Sequence, residues 1–338
     1  TLGSSCLQVG AIDIQIVPAL SGSSCSGTPE YVTIPVNPIP VINDIVYGDL
    51  SVCSSATTQN IHLEIDGDPT GVQYNWQAFL NGVVVVSGGT SGTTTSDIDL
   101  TVEVTNLTQS GDLYFEITPV LNGCTGLMVT TSTFTVTPIP GSVLASGSSV
   151  SICSGTLVDD TVLDIQLGYP VLANTTVEWI VQDSQGVAGA NAGSATSAPF
   201  TVGDTLTTTG NAQGYVIYRV WTISDNDCRG SYTDFMIYVN PNPTPLLTDG
   251  AICIQNGQVY QTYWLNAGDF SGGTYSFEWY MEDTSGDVLV DVTTGSTLEV
   301  DMVGNYYVVV TNEDPTLTTN CTGTSNIVSI IETNPATS

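Results

Sequence analysis

Cysteine spacing constrains this chain more than any other feature. Cys53, Cys153 and Cys253 recur at intervals of 100 residues, and Cys25, Cys124, Cys228 and Cys321 recur at intervals of 99, 104 and 93. Two interleaved ladders with one period describe a tandem repeat whose unit is about 100 residues, the size of an ordinary small domain. Each complete unit carries a tryptophan between its two cysteines: Trp76 in VQYNWQ, Trp179 in TVEWIVQ and Trp279 in YSFEWYM. Reduced cytosolic thiols need no such order, so the cysteines read as a disulfide framework made in an oxidising compartment. Pairing within each unit is the expectation: Cys53 with Cys124, Cys153 with Cys228, and Cys253 with Cys321. A bridge closing roughly 70 residues stabilises by about 4 kcal/mol in the chain-entropy picture. Cys25 holds the closing position of an incomplete first unit. Cys6 either pairs locally with Cys25 or has its partner outside this stretch.

Between the cysteines the apolar residues alternate, as in Ile61, Leu63 and Ile65, with Gly, Asn, Asp and Ser separating the runs. Alternation with turn punctuation predicts short strands, and about seven of them per 100 residues predict a Greek-key sandwich with Trp76, Trp179 and Trp279 in the core. The closing cysteines lie in turns (NGCTG, NDCRG) and the opening ones at the start of a strand, so each bridge is expected to staple one end of its sandwich. Gly and Tyr before the penultimate strand, in GDLYFEI, GYVIYRV and GNYYVVV, predict a tyrosine corner. Pro35, Pro38 and Pro40, then Pro138 and Pro140, then Pro241, Pro243 and Pro245 close successive units. Alternating prolines fix φ and remove ladder donors, which marks stiff boundaries. The predicted fold class is all-β: tandem Ig-like or PKD-like β-sandwich repeats in an elongated rod. Residues 1–40 are the end of an incomplete repeat, 41–140 and 141–245 are PKD-like repeats, and 246–338 is an Ig-like repeat. With the bridges closing most of each unit, tension on the termini is expected to extend only residues outside them.

The chain has 2 Lys+Arg, both arginine, against 33 Asp+Glu, a formal net charge of −31. Such a surface repels a phosphate backbone, which excludes nucleic acid as a partner and favours a cation or a basic partner. No apolar run reaches 18 residues, so no membrane span is expected in this segment. The chain begins at Thr1 and ends at Ser338 in mid-pattern, and it is read as an internal stretch of a longer polypeptide.

The unit start V/I-C-S (Val52 to Ser54, Ile152 to Ser154), N-G-C-T-G (Asn122 to Gly126) and the closing T-V-T-P-I-P (Thr135 to Pro140) resemble the PKD-like repeats of giant cell-surface adhesins of Bacteroidota. The gliding-motility adhesin SprB is the best-known type. The resemblance covers residues 25 to 245; the last unit is similar to the Ig-like repeats that accompany them. It implies type IX secretion, display at the outer membrane, and adhesion during gliding or biofilm growth, and it supplies no catalytic residue.

Catalytic chemistry finds little support. The one imidazole, His62, falls on the polar face of a strand beside Glu64, so a Ser-His-Asp set, a multi-histidine zinc site or a phosphate loop finds no support. No cofactor is required. Calcium is the candidate cation, held by turn carboxylates at Asp66 and Asp68 or at Asp225 and Asp227. Asp-Thr tripeptides at Thr161, Thr205 and Thr284 resemble the O-glycosylation acceptor of Bacteroidota. Two function classes emerge. The first is a structural or adhesive stalk segment of a surface filament, partnered by other repeats of its own chain and by an extracellular polysaccharide or surface receptor. The alternative is a carbohydrate- or protein-binding accessory module of an exported multidomain enzyme, which would need a platform of exposed aromatic rings.

Overall fold

The structure, a computed structural model, describes residues 10–145, 149–159, 162, 165–196, 200–224, 226–314 and 319–333. Every regular element among them is a β-strand. Three separate hydrophobic cores lie along the chain, built from residues between Ile61 and Val136, Val143 and Val239, and Leu247 and Ile330. The protein is a series of tandem β-sandwich repeats. By packing it divides into two compact units. One holds residues up to Gly141 with Gly168–Thr175 and Ile223–Gly230; the other holds Ser142–Leu167, Thr176–Thr222 and the residues from Ser231 onward.

One strand path recurs in all three sandwiches. An opening strand (Ser51–Cys53, Ser149–Cys153, Gly250–Gln255) lies beside the last strand (Phe134–Thr137, Thr233–Asn240, Val328–Thr333). The penultimate strand follows (Gly111–Leu121, Gly214–Ile223, Gly304–Asn312), and then the strand carrying the tryptophan (Gln73–Asn81, Thr176–Gln185, Tyr275–Met281). The opening and last strands run parallel, whereas the last and penultimate strands run antiparallel in all three. In the first sandwich Val41–Tyr47, Ile61–Asp68, Asp97–Val104 and Val83–Ser87 form the facing sheet.

Alternation builds the cores. On the penultimate strands Leu113, Phe115 and Ile117, then Val216, Tyr218 and Val220, then Tyr306, Val308 and Val310 point inward and are fully buried or nearly so. Burying each such side chain stabilises by about 1.5–3 kcal/mol. The tryptophans join them at 8%, 6% and 0% exposure for Trp76, Trp179 and Trp279. Trp76 and Trp179 lie across a glycine of the neighbouring strand, Gly92 and Gly193. An alanine Cβ at 193 would stand 2.4 Å from Trp179 Cζ2, against 3.2 Å for the same substitution at 92. Gly193→Ala is therefore expected to destabilise by about 1–3 kcal/mol, the usual cost of overpacking, and Gly92→Ala by less; chemical denaturation of the two variants measures the difference. In the third sandwich the register partner of Trp279 is Asp291, and the indole Nε1 donates to Thr293 Oγ1 at 3.0 Å instead.

Ahead of the first sandwich, Gly10–Ile16 and Glu30–Val36 form a hairpin. Gly10 opposes Val36 as Gly111 opposes Val136 and Gly214 opposes Val239, so the hairpin has the register of the last two strands of a repeat. Ile14 and Ile16 take the positions of Phe115 and Ile117 but are 42% and 52% exposed.

Among the described residues the tyrosine corner takes the expected form at Tyr306. Tyr306 OH donates to the Met302 carbonyl, four residues upstream, at 3.0 Å. Tyr218, on the equivalent strand, donates to the buried Asp204 carboxylate at 2.5 Å, and burial followed by that bond drives its phenol well above the usual tyrosine range.

Candidate functional site

Each opening cysteine sits at the same register. Cys53 lies opposite Thr137, Cys153 opposite Asn240 and Cys253 opposite Thr333, at the C-terminal end of the last strand. Closing cysteines lie past the opposite end of the sheet. Cys124 follows the far end of Gly111–Leu121, an 11-residue strand whose near end, Gly111, pairs with Val136 beside Thr137. At ~3.4 Å per residue that strand separates Cys53 from Cys124 by about 35 Å. A disulfide needs Cα atoms within about 7 Å. The expected pairing within units therefore fails on geometry in every sandwich.

The bonds that form run from one repeat to the next. Cys53 is bonded to Cys228, 175 residues away, and Cys153 to Cys321, 168 residues away, with Cα–Cα distances of 5.5 and 5.4 Å. Each joins the opening strand of one sandwich to the closing turn of the next. The staple at one end of a single sandwich, and the tension argument drawn from it, are corrected accordingly. Cys124 and Cys253 are free thiols, half-exposed, and Cys25 is a free, exposed thiol. Cys6 lies outside the described residues.

Both junctions are assembled from the same parts. The serine after each opening cysteine donates its N–H to the last strand, Ser54 to Thr137 O and Ser154 to Asn240 O. Its hydroxyl accepts a backbone N–H, from Val104 in one case and Thr208 in the other, at 3.1 and 3.0 Å. The V/I-C-S signature thus fixes the strand end that presents the sulfur. Two residues before each bonded closing cysteine a side chain docks beside the bridge. Asn226 Nδ2 donates to Thr137 Oγ1 and Thr319 Oγ1 to Ser151 O, both at 2.7 Å. Two residues after Cys321, and likewise after the free Cys124, a glycine lets the turn press on the proline segment. An added Cβ would fall 1.8 Å from Pro243 O at Gly323 and 1.9 Å from Pro40 O at Gly126. Only glycine permits that approach.

The remaining predicted site residues are dispersed. Among the described residues no three His, Cys, Asp or Glu side chains come together as a cation site. Asp68 accepts from Asn43 Nδ2 at 2.8 Å, and Asp66 and Asp68 flank Tyr74, whose phenol is pushed up first by burial and then by their charge. Asp227 is a left-handed turn residue with φ 57°, and Asp225 lies outside the described residues. Thr161 also lies outside them. Thr205 is exposed on a strand, but its neighbour Asp204 is a structural carboxylate that accepts from Tyr218 OH, from Asn191 N at 2.9 Å and from Asn191 Nδ2 at 3.0 Å. Thr284 is exposed in a turn with Asp283. Of the aromatic side chains outside the cores, Trp264 is 58% exposed.

His62 lies on the polar face, its Nδ1 2.6 Å from Asp99 and its Nε2 3.5 Å from Glu64. The bond to Asp99, then that to Glu64, raises its pKa above 6.5. A raised folded-state pKa gives a stabilisation that is complete below the unfolded value and is lost as pH rises through the folded one. Because the chain has 1 His, its ring-proton NMR titration reports this group alone, and a midpoint above 6.5 is expected.

Comparison with known proteins comes down to the repeat. No curated protein matches the chain. Solved structures similar to it include the FN1–FN3 domains of chicken CNTN1, at 11% identity over 85% of this chain and 95% of that one with a TM-score of 0.30. They also include three N-terminal domains of the highly immunogenic outer capsid protein Hoc of bacteriophage RB49, at 13% identity over 87% and 99% with a TM-score of 0.29. Mouse cadherin-23 EC22–24 matches at 12% identity over 88% and 99% with a TM-score of 0.25. Residues 150–243, the second sandwich with both its cysteines, match the PKD-like domain family.

Proposed function

We propose that this chain is a structural stalk segment of a long cell-surface adhesin filament, a non-catalytic stretch of repeats that supplies reach and toughness. The observation that carries the reading is the pair of bridges Cys53–Cys228 and Cys153–Cys321, each cross-linking one repeat to the next. A binding or catalytic module needs its own pocket to be rigid. A bond from each repeat to its successor serves the continuity of the series. Disulfides of this kind belong to an oxidising, extracytoplasmic setting, and the acidic surface, −31 overall, keeps neighbouring filaments apart. The resemblance of the V/I-C-S, N-G-C-T-G and T-V-T-P-I-P segments to gliding adhesin repeats supports export by the type IX route and display at the outer membrane.

A glycan array probed with the chain separates this role from that of a carbohydrate-binding module. The stalk reading expects no saturable signal. Saturable binding to a defined polysaccharide, abolished by Trp264→Ala, would replace it with the binding-module reading.

A further inference from the structure

Cys124 and Cys253 are free, yet each occupies a position that is bonded elsewhere in the same molecule. Cys253 stands opposite Thr333 as Cys53 stands opposite Thr137 and Cys153 opposite Asn240. Cys124 sits in the turn equivalent to those of Cys228 and Cys321. Its backbone is set in the same way: Gly123, just before it, has φ 81°, and Asp227, just before Cys228, has φ 57°. Gly126 meets Pro40 O as Gly323 meets Pro243 O. The turn that carries Cys124 therefore already has the seating of the turn whose cysteine is bridged to Cys153.

We infer that Cys124 and Cys253 are two open positions of a continuous disulfide ladder, and that the partner of each is a cysteine in a further sandwich of this same type. Cys253 bonds the closing cysteine of a repeat that follows the third sandwich. Cys124 bonds the opening cysteine of a repeat that precedes the first. The rule is fixed by the two bonds present, opening cysteine of one repeat to closing cysteine of the next. It cannot join Cys124 to Cys253 within one chain, because Cys124 is a closing cysteine whose partner belongs to an earlier repeat. The chemistry requires an external oxidant. Two thiols and one low-molecular-weight disulfide give one protein disulfide and two small thiols, the two electrons and two protons passing to the small disulfide.

The test is the full chain extended after residue 333 by a second copy of residues 241–333 and held in oxidised glutathione. Non-reducing peptide mass mapping is expected to find Cys253 bonded to the added copy's counterpart of Cys321, with the two existing bridges retained. Labelling of Cys253 by N-ethylmaleimide, complete in the unextended chain, is expected to disappear. If Cys253 and that counterpart both remain alkylatable, the ladder is overturned. A second measurement needs no extension. In the native chain, without denaturant, N-ethylmaleimide must label Cys124 and Cys253 and spare Cys53, Cys153, Cys228 and Cys321. Protection of either free thiol, or a bond joining the two within one chain, overturns the inference as well.

Discussion

Pulled from its ends in oxidising buffer, the chain is expected to release no more contour between Cys53 and Cys321 than its shortest internal segment allows. The two bonds fuse Cys53 with Cys228 and Cys153 with Cys321 into two nodes. Three stretches of backbone then run between those nodes in parallel: 53 to 153, 153 to 228 and 228 to 321. The shortest has 75 residues, from Cys153 to Cys228. At ~3.4 Å per residue the nodes can separate by at most about 260 Å. With the bonds reduced, all 268 residues from Cys53 to Cys321 become extensible, about 910 Å. Force spectroscopy on one sample, before and after a reductant, reads the difference directly. Bridges inside each sandwich would instead have locked each unit separately and left the joints to stretch. An oxidised trace reaching the reduced contour length would rule out the interlocked arrangement.

Much of this fold was legible in the residues. Alternation at Ile61, Leu63 and Ile65 places a strand whose inward face is buried and whose outward face holds His62 and Glu64. The three tryptophans, Trp76, Trp179 and Trp279, fall one in each hydrophobic core. The disulfide register was not legible, for a definite reason. Two ladders that share a period are equally regular whether paired within a unit or across one. The choice depends on where the opening strand lies. That strand pairs parallel with the last strand, a contact across more than 80 residues that no local pattern encodes, and it carries Cys53 to the end of the sheet remote from Cys124. The docking residues Asn226 and Thr319 were likewise hidden, since the side-chain bond each makes at the bridge is to a residue far away in sequence. The Asp204-Thr205-Leu206 tripeptide looks like a surface acceptor in one dimension. In three dimensions Asp204 is enclosed by Tyr218 and Asn191. What a carboxylate faces is a tertiary property.

Removing one bridge is expected to cost about 4–5 kcal/mol, because a loop of 168 or 175 residues carries a chain-entropy term near 5 kcal/mol and the surviving bond already restrains part of it. The substitution must take both partners, Cys153→Ser with Cys321→Ser, so that no new thiol is left to mispair. The cores themselves should survive. Each sandwich has its own buried set, Leu113, Phe115 and Ile117 in the first, Val216, Tyr218 and Val220 in the second, and Tyr306, Val308 and Val310 in the third, and no cysteine side chain stands among these residues. Far-UV circular dichroism of the double variant is therefore expected to match that of the parent at room temperature. The thermogram should change. With both bonds closed, unfolding one sandwich leaves its chain tethered at two nodes shared with its neighbours, so the entropy gained on melting is small until the neighbours melt too. Calorimetry of the oxidised chain is expected to show coupled unfolding at high temperature. The form lacking both bridges should resolve into separate, lower transitions, one for each core. A reduced chain that melted at the oxidised temperature would mean that the sandwiches hold one another by packing alone, and that the bonds contribute no stability.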